Sequence, residues 1–305
     1  MDVVPVAEES LGVRSMALFV KASDIAVLFD AGLSLAPRRF GLPPHPRELQ
    51  RARELRAKIL EFAARADVIT VSHYHRDHFT PWYESKYMAT DGETYKAVYG
   101  GKLILAKSPE GINWSQRRRW YGFKKAVEPI ARVEYADGRA FSFGNTLIKV
   151  SGPLPHGPEG SRTGYTLAFL IADGEERLLF MPDVQGPASE AAVSFALSVE
   201  PTIAIVGGPP LYLTSISHEA GVAGLLRLLD ARGLHTLVIA HHALRELEWR
   251  ERLAGVFEKA RERGVAVSTY AGLLGVEEDL LEARRRELYS SEPAEVDEER
   301  EEDEE

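Results

Sequence analysis

The 305-residue sequence predicts a layered α/β fold, with two sheets packed face to face and helices on the outside. Two observations predict it. Apolar, strand-like runs crowd the first half, whereas in the second half such runs alternate with helical periodicities. No internal repeat and no Pro/Gly/Ser-rich linker divides the body, so residues 1–290 read as one domain and 291–305 as an acidic tail.

Residues 12–20 and 25–30 are apolar runs that read as strands, the second stopping at the turn signal Ala31-Gly32. Residues 46–66 read as an amphipathic helix. Pro46 opens it, and Ala52, Leu55, Ile59, Phe62 and Ala66 recur at intervals of three and four. A short apolar strand at 68–72 runs into a histidine cluster. Further strands are expected at 102–106, 139–143, 146–151, 164–171, 177–181, 202–206, 236–240 and 266–270, and helices at 188–198, 218–232, 244–263 and 276–288.

Hydrophobic residues make up 45% and charged residues 27%, the balance of a globular protein. No apolar run reaches the roughly 18–20 residues that span a bilayer. The start, Met1-Asp2-Val3-Val4-Pro5, lacks the basic and apolar stretches of a signal peptide, so a cytoplasmic location is the default expectation. With no cysteine there is no disulfide and no thiolate site, and any metal must sit on His, Asp and Glu. The net charge of −9 is matched by the −9 of residues 291–305, which leaves the body near neutral. A self-repelling acidic block of this kind reads as a solvated tail, with masking of an anion-binding surface as the alternative.

The informative stretch is Ser72-His73-Tyr74-His75-Arg76-Asp77-His78. In extended chain His73 and His75 point to the same side, because side chains alternate with period two. A helix starting near Asp77 would project Asp77 and His78 beside the same pocket. Other ligand-type residues fall at strand ends: Asp30, His156 in a Gly/Pro-rich loop, Asp183 after Pro182, and His241 with His242. Taken singly, each is more often a turn or capping residue. Five strand ends each delivering one are hard to read as chance. Imidazole and carboxylate together suit Zn²⁺, Mn²⁺ or Fe.

In chain order these residues resemble the motif set of the metallo-β-lactamase superfamily: an early Asp, then H-x-H-x-D-H, then a lone His, a lone Asp and a final His. The resemblance covers roughly residues 12–275. It is strongest to a group of archaeal predicted metal-dependent hydrolases, through the run from Ser72 to Pro81, and looser to the ribonuclease Z and ascorbate-6-phosphate lactonase groups. It implies an αββα sandwich with a two-metal site at one edge. His73, His75 and His156 would hold the first ion, Asp77, His78 and His241 the second, and Asp183 would bridge them. Asp30 would orient a ligand histidine. His241 is preferred to His242 as the last ligand because Arg245 follows it by four residues, as in ribonuclease Z-like members; His242 then stands just outside the ligand set.

Two metals about 3.5–4 Å apart can share a water and lower its pKa toward neutrality, giving a bridging hydroxide that Asp77 and Asp183 would aim. Neutral histidines and few carboxylates leave such a centre positive, suited to charge developing on a phosphoryl or acyl oxygen. The expected activity is hydrolysis of a phosphoester, with nucleic acid a candidate substrate. Residues 84–132 carry ten Lys/Arg against five Asp/Glu, among them Arg117, Arg118, Arg119, Lys124 and Lys125 interleaved with aromatics, a pattern that contacts phosphates and stacks on bases. A solvated basic helix face is the competing reading. His218 is a further candidate for the pocket, against a plain helix-start role; His45 and His235 read as surface-loop residues. A small-molecule lactonase or phosphate-ester hydrolase is the alternative activity, and a nucleic-acid-binding scaffold the non-enzymatic one. No membrane partner is expected, and the sequence specifies no oligomeric state.

Overall fold

A computed structural model describes residues 1–294; most of the acidic tail, 295–305, lies outside the described residues. Among the described residues two large sheets form. The first takes β1 (Asp2–Glu8), β2 (Met16–Lys21), β3 (Ala26–Phe29), β4 (Val68–Val71), β5 (Leu103–Ala106) and β6 (Arg132–Tyr135), side by side in chain order. The second takes β7 (Ala140–Phe143), β8 (Thr146–Val150), β9 (Phe169–Asp173), β10 (Glu176–Met181), β11 (Ile203–Gly207), β12 (Thr236–Ala240) and β13 (Ala266–Ser268), again in chain order. Strands β3 to β6 run parallel, as do β10 to β13; the remaining neighbours are antiparallel.

The central strands, β2 to β5 and β9 to β12, are largely apolar on both faces because both faces are covered. Between the sheets, Phe29, Phe169 and Phe180 pack with Leu18, Ile148 and Val238, and the Phe29 and Phe180 ring centres lie 5.0 Å apart. Outside the first sheet lie α1 (Pro46–Arg65), α2 (Thr94–Tyr99) and α3 (Trp114–Val127), burying Leu55, Ile59, Tyr99 and Phe123 against it. Outside the second lie α4 (Glu190–Ser198), α5 (Glu219–Leu228), α6 (Trp249–Arg252) and α7 (Ala254–Arg263), burying Ala196, Leu225, Trp249 and Val256. The fold is therefore an αββα sandwich, two sheets face to face with helices on both outer sides. Two short helices, α8 (Tyr270–Leu274) and α9 (Arg285–Ser291), complete it. No helix among the described residues is long and apolar enough to cross a membrane.

The structure corrects several expectations. Residues 2–8 form an edge strand that Pro5 obscures in the sequence; Pro5 stands opposite Leu18, and the register shifts between Pro5 and Ala7, passing over Val6. No helix begins at Asp77; His75–His78 is a turn closed by His78 N–H donating to the His75 carbonyl at 3.0 Å. The helix expected over 244–263 is broken, because Glu246 is extended (φ −129°) and Leu253 (φ −108°) separates α6 from α7. The helix expected at 276–288 is replaced by irregular chain and α9. His45 is not a surface-loop residue. It is buried at the start of α1, where its N–H donates to the Glu48 carboxylate at 2.8 Å and its Nδ1 accepts from Arg47 N–H.

That irregular chain is held by charge. Arg14 forks onto Glu282 at 2.6 and 2.7 Å, and Arg285 forks onto Glu48 at 2.7 and 2.8 Å. Burial would raise the Glu282 carboxyl, but Arg14, with Arg245 and Arg285 behind it, holds it down to about 2 against an ordinary 4.5. A depressed carboxyl contributes stability that is present above its unfolded pKa and lost as pH falls through the folded one. Glu282→Gln is thus expected to cost about 3 kcal/mol at neutral pH. The gap should close as pH falls from about 4.5 toward 2, which denaturant titrations of both proteins across that range would measure.

Candidate metal centre

The site lies where parallel strands of both sheets end. β3 delivers Asp30, β4 delivers residues 72–78, β10 delivers Asp183 and β12 delivers His241. Three of these residues are held in the left-handed region: Asp30 at φ 42°, Asp183 at φ 55° and His241 at φ 62°. Such backbone costs roughly 1–3 kcal/mol per residue and persists where packing over-determines it. Gly32 shows the packing: a Cβ there would lie 2.3 Å from Phe79 N and 2.5 Å from His78 N, so only glycine lets the histidine loop close against β3.

Asp183 is the hub. Its Oδ2 lies 2.7 Å from His156 Nε2, 3.1 Å from His73 Nε2 and 3.7 Å from His75 Nδ1. Its Oδ1 lies 3.1 Å from His241 Nε2 and 3.3 Å from His78 Nε2. Asp77 approaches the same side, 3.5 Å from His241 Nε2 and 3.9 Å from His78 Nε2. The donor atoms of His73, His75, His156 and Asp183 lie within 4.8 Å of one another, and so do those of Asp77, His78 and His241.

The outer groups set the tautomers. Asp30 accepts from Thr70 Oγ1, from Ser72 N–H and Oγ, and from His78 Nδ1 at 2.8 Å. Ser72 Oγ in turn lies 3.0 Å from His73 Nδ1. One carboxylate therefore fixes two imidazoles and leaves both Nε2 lone pairs facing Asp183. His241 Nδ1 donates to Glu9 at 3.0 Å, and Arg245 donates to both Glu9 and Asp77. His242 also belongs to the cluster: its donor atom lies within 4.8 Å of those of Asp183 and His241, and its ring is 4.4 Å from that of His241 and 5.9 Å from that of His156.

Glu9 is the residue that sequence reasoning missed. It follows β1 in a short turn (Glu9–Leu11), is buried, and meets its partner 232 positions along the chain. Its neighbour Glu8 accepts the His241 backbone N–H at 2.9 Å, and burial followed by repulsion from Glu9 pushes the Glu8 carboxyl up to about 8. Glu9→Gln keeps the shape but weakens the hold on His241. Metal affinity is expected to fall by roughly 10–100-fold, measured by competition with a chromophoric chelator.

These residues fit metal ions. His73 Nε2, His78 Nε2 and Asp183 Oδ1 are buried without a hydrogen-bond partner, which a folded protein avoids unless something else satisfies them. Burial pushes the imidazole of His75 down to about 4, and that of His73 falls through burial and then the neighbouring His78 and His75. For His78 and His241 burial acts the same way but loses. Asp183 lifts His78 well above its ordinary range, and Glu9 with Asp183 lifts His241 to about 9. The cluster thus attracts positive charge on the Oδ1 side of Asp183, which protons or a cation can supply.

Above the cluster opens a cavity of about 450 Å³, lined by His75, His156, Asp183 and His242, by Arg14, Arg76, Arg119 and Arg245, and by Leu35, Pro210 and Tyr212 among others. Of the basic residues expected at the substrate, Arg119 alone lines it. Arg117, Arg118, Lys124 and Lys125 lie elsewhere on α3, because a turn of about 100° per residue carries them away from the side on which Arg119 meets the cavity. His218 does not line the cavity either; it stands at the start of α5.

No known protein-family model matches the chain. The chain is 59% identical over 295 residues, 96% of each protein, to the UPF0282 protein of Pyrobaculum arsenaticum. It is 61% identical over 297 residues to that of Pyrobaculum neutrophilum, 97% of each chain, and 43% identical over 300 residues to that of Thermococcus gammatolerans, also 97% of each. Among solved structures it is similar to a metal-dependent hydrolase of the β-lactamase superfamily (16% identity, 85% of this chain and 90% of that one, TM-score 0.46). It is also similar to the short form of human tRNase Z (14% identity, 79% and 92%, TM-score 0.45). The near-full-length identities show that the chain belongs to the UPF0282 family.

Proposed function

We propose that the protein is a hydrolase of phosphoesters that works with two divalent ions, zinc or, on the same donors, manganese or iron. The observation that carries this reading is the division of Asp183: one carboxylate oxygen faces His73, His75 and His156, the other His78 and His241. Ions held there would lower the pKa of a shared water and draw charge from a substrate oxygen. The chain does the rest. Asp30 and Glu9 keep ring N–H groups turned outward, and Asp77, braced by Arg245 at 3.2 Å, holds its carboxylate toward the cluster.

The cavity favours an anion. Arg14 and Arg245 are matched by Glu282 and Glu9, but Arg119 donates to the Tyr74 carbonyl at 3.0 Å, and burial followed by the nearby charge of Arg76 pushes its pKa down. A bound phosphate oxygen would relieve that repulsion. The test screens metal-loaded protein against a nitrophenyl phosphodiester, a nitrophenyl phosphomonoester and simple lactones. Phosphoester turnover is expected to dominate, and Arg119→Gln to raise KM for the phosphoester severalfold with a smaller change in kcat. Lactone turnover that exceeds phosphoester turnover and ignores Arg119→Gln would overturn the reading.

A further inference from the structure

We propose that the outward face of α3 is a docking strip for single-stranded nucleic acid, an inference that rests on the phosphoester reading and names the polymer that would feed the cavity. The helix is two-sided. Gln116, Phe123 and Val127 are buried against the first sheet, and Arg119 lines the cavity. The other side carries Trp114 and Tyr121, 70% and 64% exposed, the two most exposed large hydrophobic residues among those described. Around them lie the exposed Arg117, Arg118 and Lys125.

Positions 114, 118, 121 and 125 follow one another at four, three and four residues and therefore share a face. Trp114 and Tyr121 stand about 10 Å apart along the axis, given 1.5 Å of rise per residue. Rings at that spacing, with guanidinium and ammonium groups between and beyond them, match exposed base faces alternating with phosphates. Charge selects the partner: the fourteen residues of α3 include three Arg and two Lys and no Asp or Glu. The strip lacks the aliphatic residues that enter a lipid surface, and a duplex hides its base faces from the two rings. A strand lying there passes within about one helix diameter, 10–12 Å, of the side on which Arg119 enters the cavity.

The experiment measures fluorescence anisotropy of a labelled single-stranded pyrimidine oligonucleotide and of its duplex with the full chain at low salt, beside turnover of a small phosphodiester. The single strand should bind more tightly than the duplex. Trp114→Ala with Tyr121→Ala should weaken single-strand binding at least about tenfold, the scale of base–aromatic stacking, with little change in salt dependence. Arg117→Gln, Arg118→Gln and Lys125→Gln together should weaken it and flatten the log–log salt slope by about two, at roughly 0.7 per lost phosphate contact. Both variants should turn over the small phosphodiester at the unaltered rate. No oligonucleotide binding, equal duplex binding, or affinities that neither variant moves would overturn the strip. So would two other results: tighter binding to phosphatidylglycerol vesicles than to the oligonucleotide, or a dimer in sedimentation that the aromatic substitutions dissolve. Oligonucleotide binding without phosphodiester turnover would instead sink the phosphoester reading and leave the strip standing.

Discussion

Asp183→Asn is expected to lower turnover at least about a hundredfold, the scale set by disturbing a metal-activated water. The amide keeps the outline of the side chain but replaces one oxygen by an N–H donor. That donor would point at either the His73–His75–His156 side or the His78–His241 side. Whichever way it turns, one of the two proposed ions would lose an anionic ligand. Folding should survive, because Asn tolerates the left-handed backbone that Asp183 occupies at φ 55°. Measuring kcat/KM beside the melting temperature of the metal-free protein separates the two effects. Near-unaltered turnover on the best substrate would remove Asp183 from the bridging role.

The second large effect is on metal content. His73→Ala combined with His75→Ala deletes two of the three imidazoles facing Asp183 Oδ2 and leaves only His156 there. Elemental analysis of reloaded protein should fall from about two ions per chain to about one, because the Asp77, His78 and His241 group is untouched. Turnover should collapse with it, since a single ion cannot clamp the attacking and leaving oxygens together. Equal metal content in variant and parent would refute the two-site assignment, as would a parent that holds no metal after reloading.

The legible part of the site was the part encoded by short-range geometry. His73 and His75 alternate with the buried Tyr74, whose hydroxyl turns away to the Lys107 carbonyl, so period two alone predicts their shared direction. Asp30, Asp183 and His241 announce themselves as polar residues ending apolar runs. Glu9 could not be found this way. An acidic pair after an edge strand looks like a solvated surface until a partner from the far end of the chain covers it. The basic run 117–125 misled for a related reason: read as a string its charges seem to act together, whereas the helix turns Arg119 inward and the others elsewhere. In the fold, the alternation of strands and helices sufficed for the layers, while the irregular chain before α9 depends on tertiary contacts such as Arg14 with Glu282.

The placement of Glu8 and Glu9 also bears on how the protein should be handled. They connect the edge strand to His241, so residues 2–11 are in effect a strut of the histidine–aspartate cluster. An affinity tag fused to the amino end would load that strand, and a start site chosen a few codons downstream would remove it. Either alteration would yield a chain that looks well folded by circular dichroism and is poor in metal.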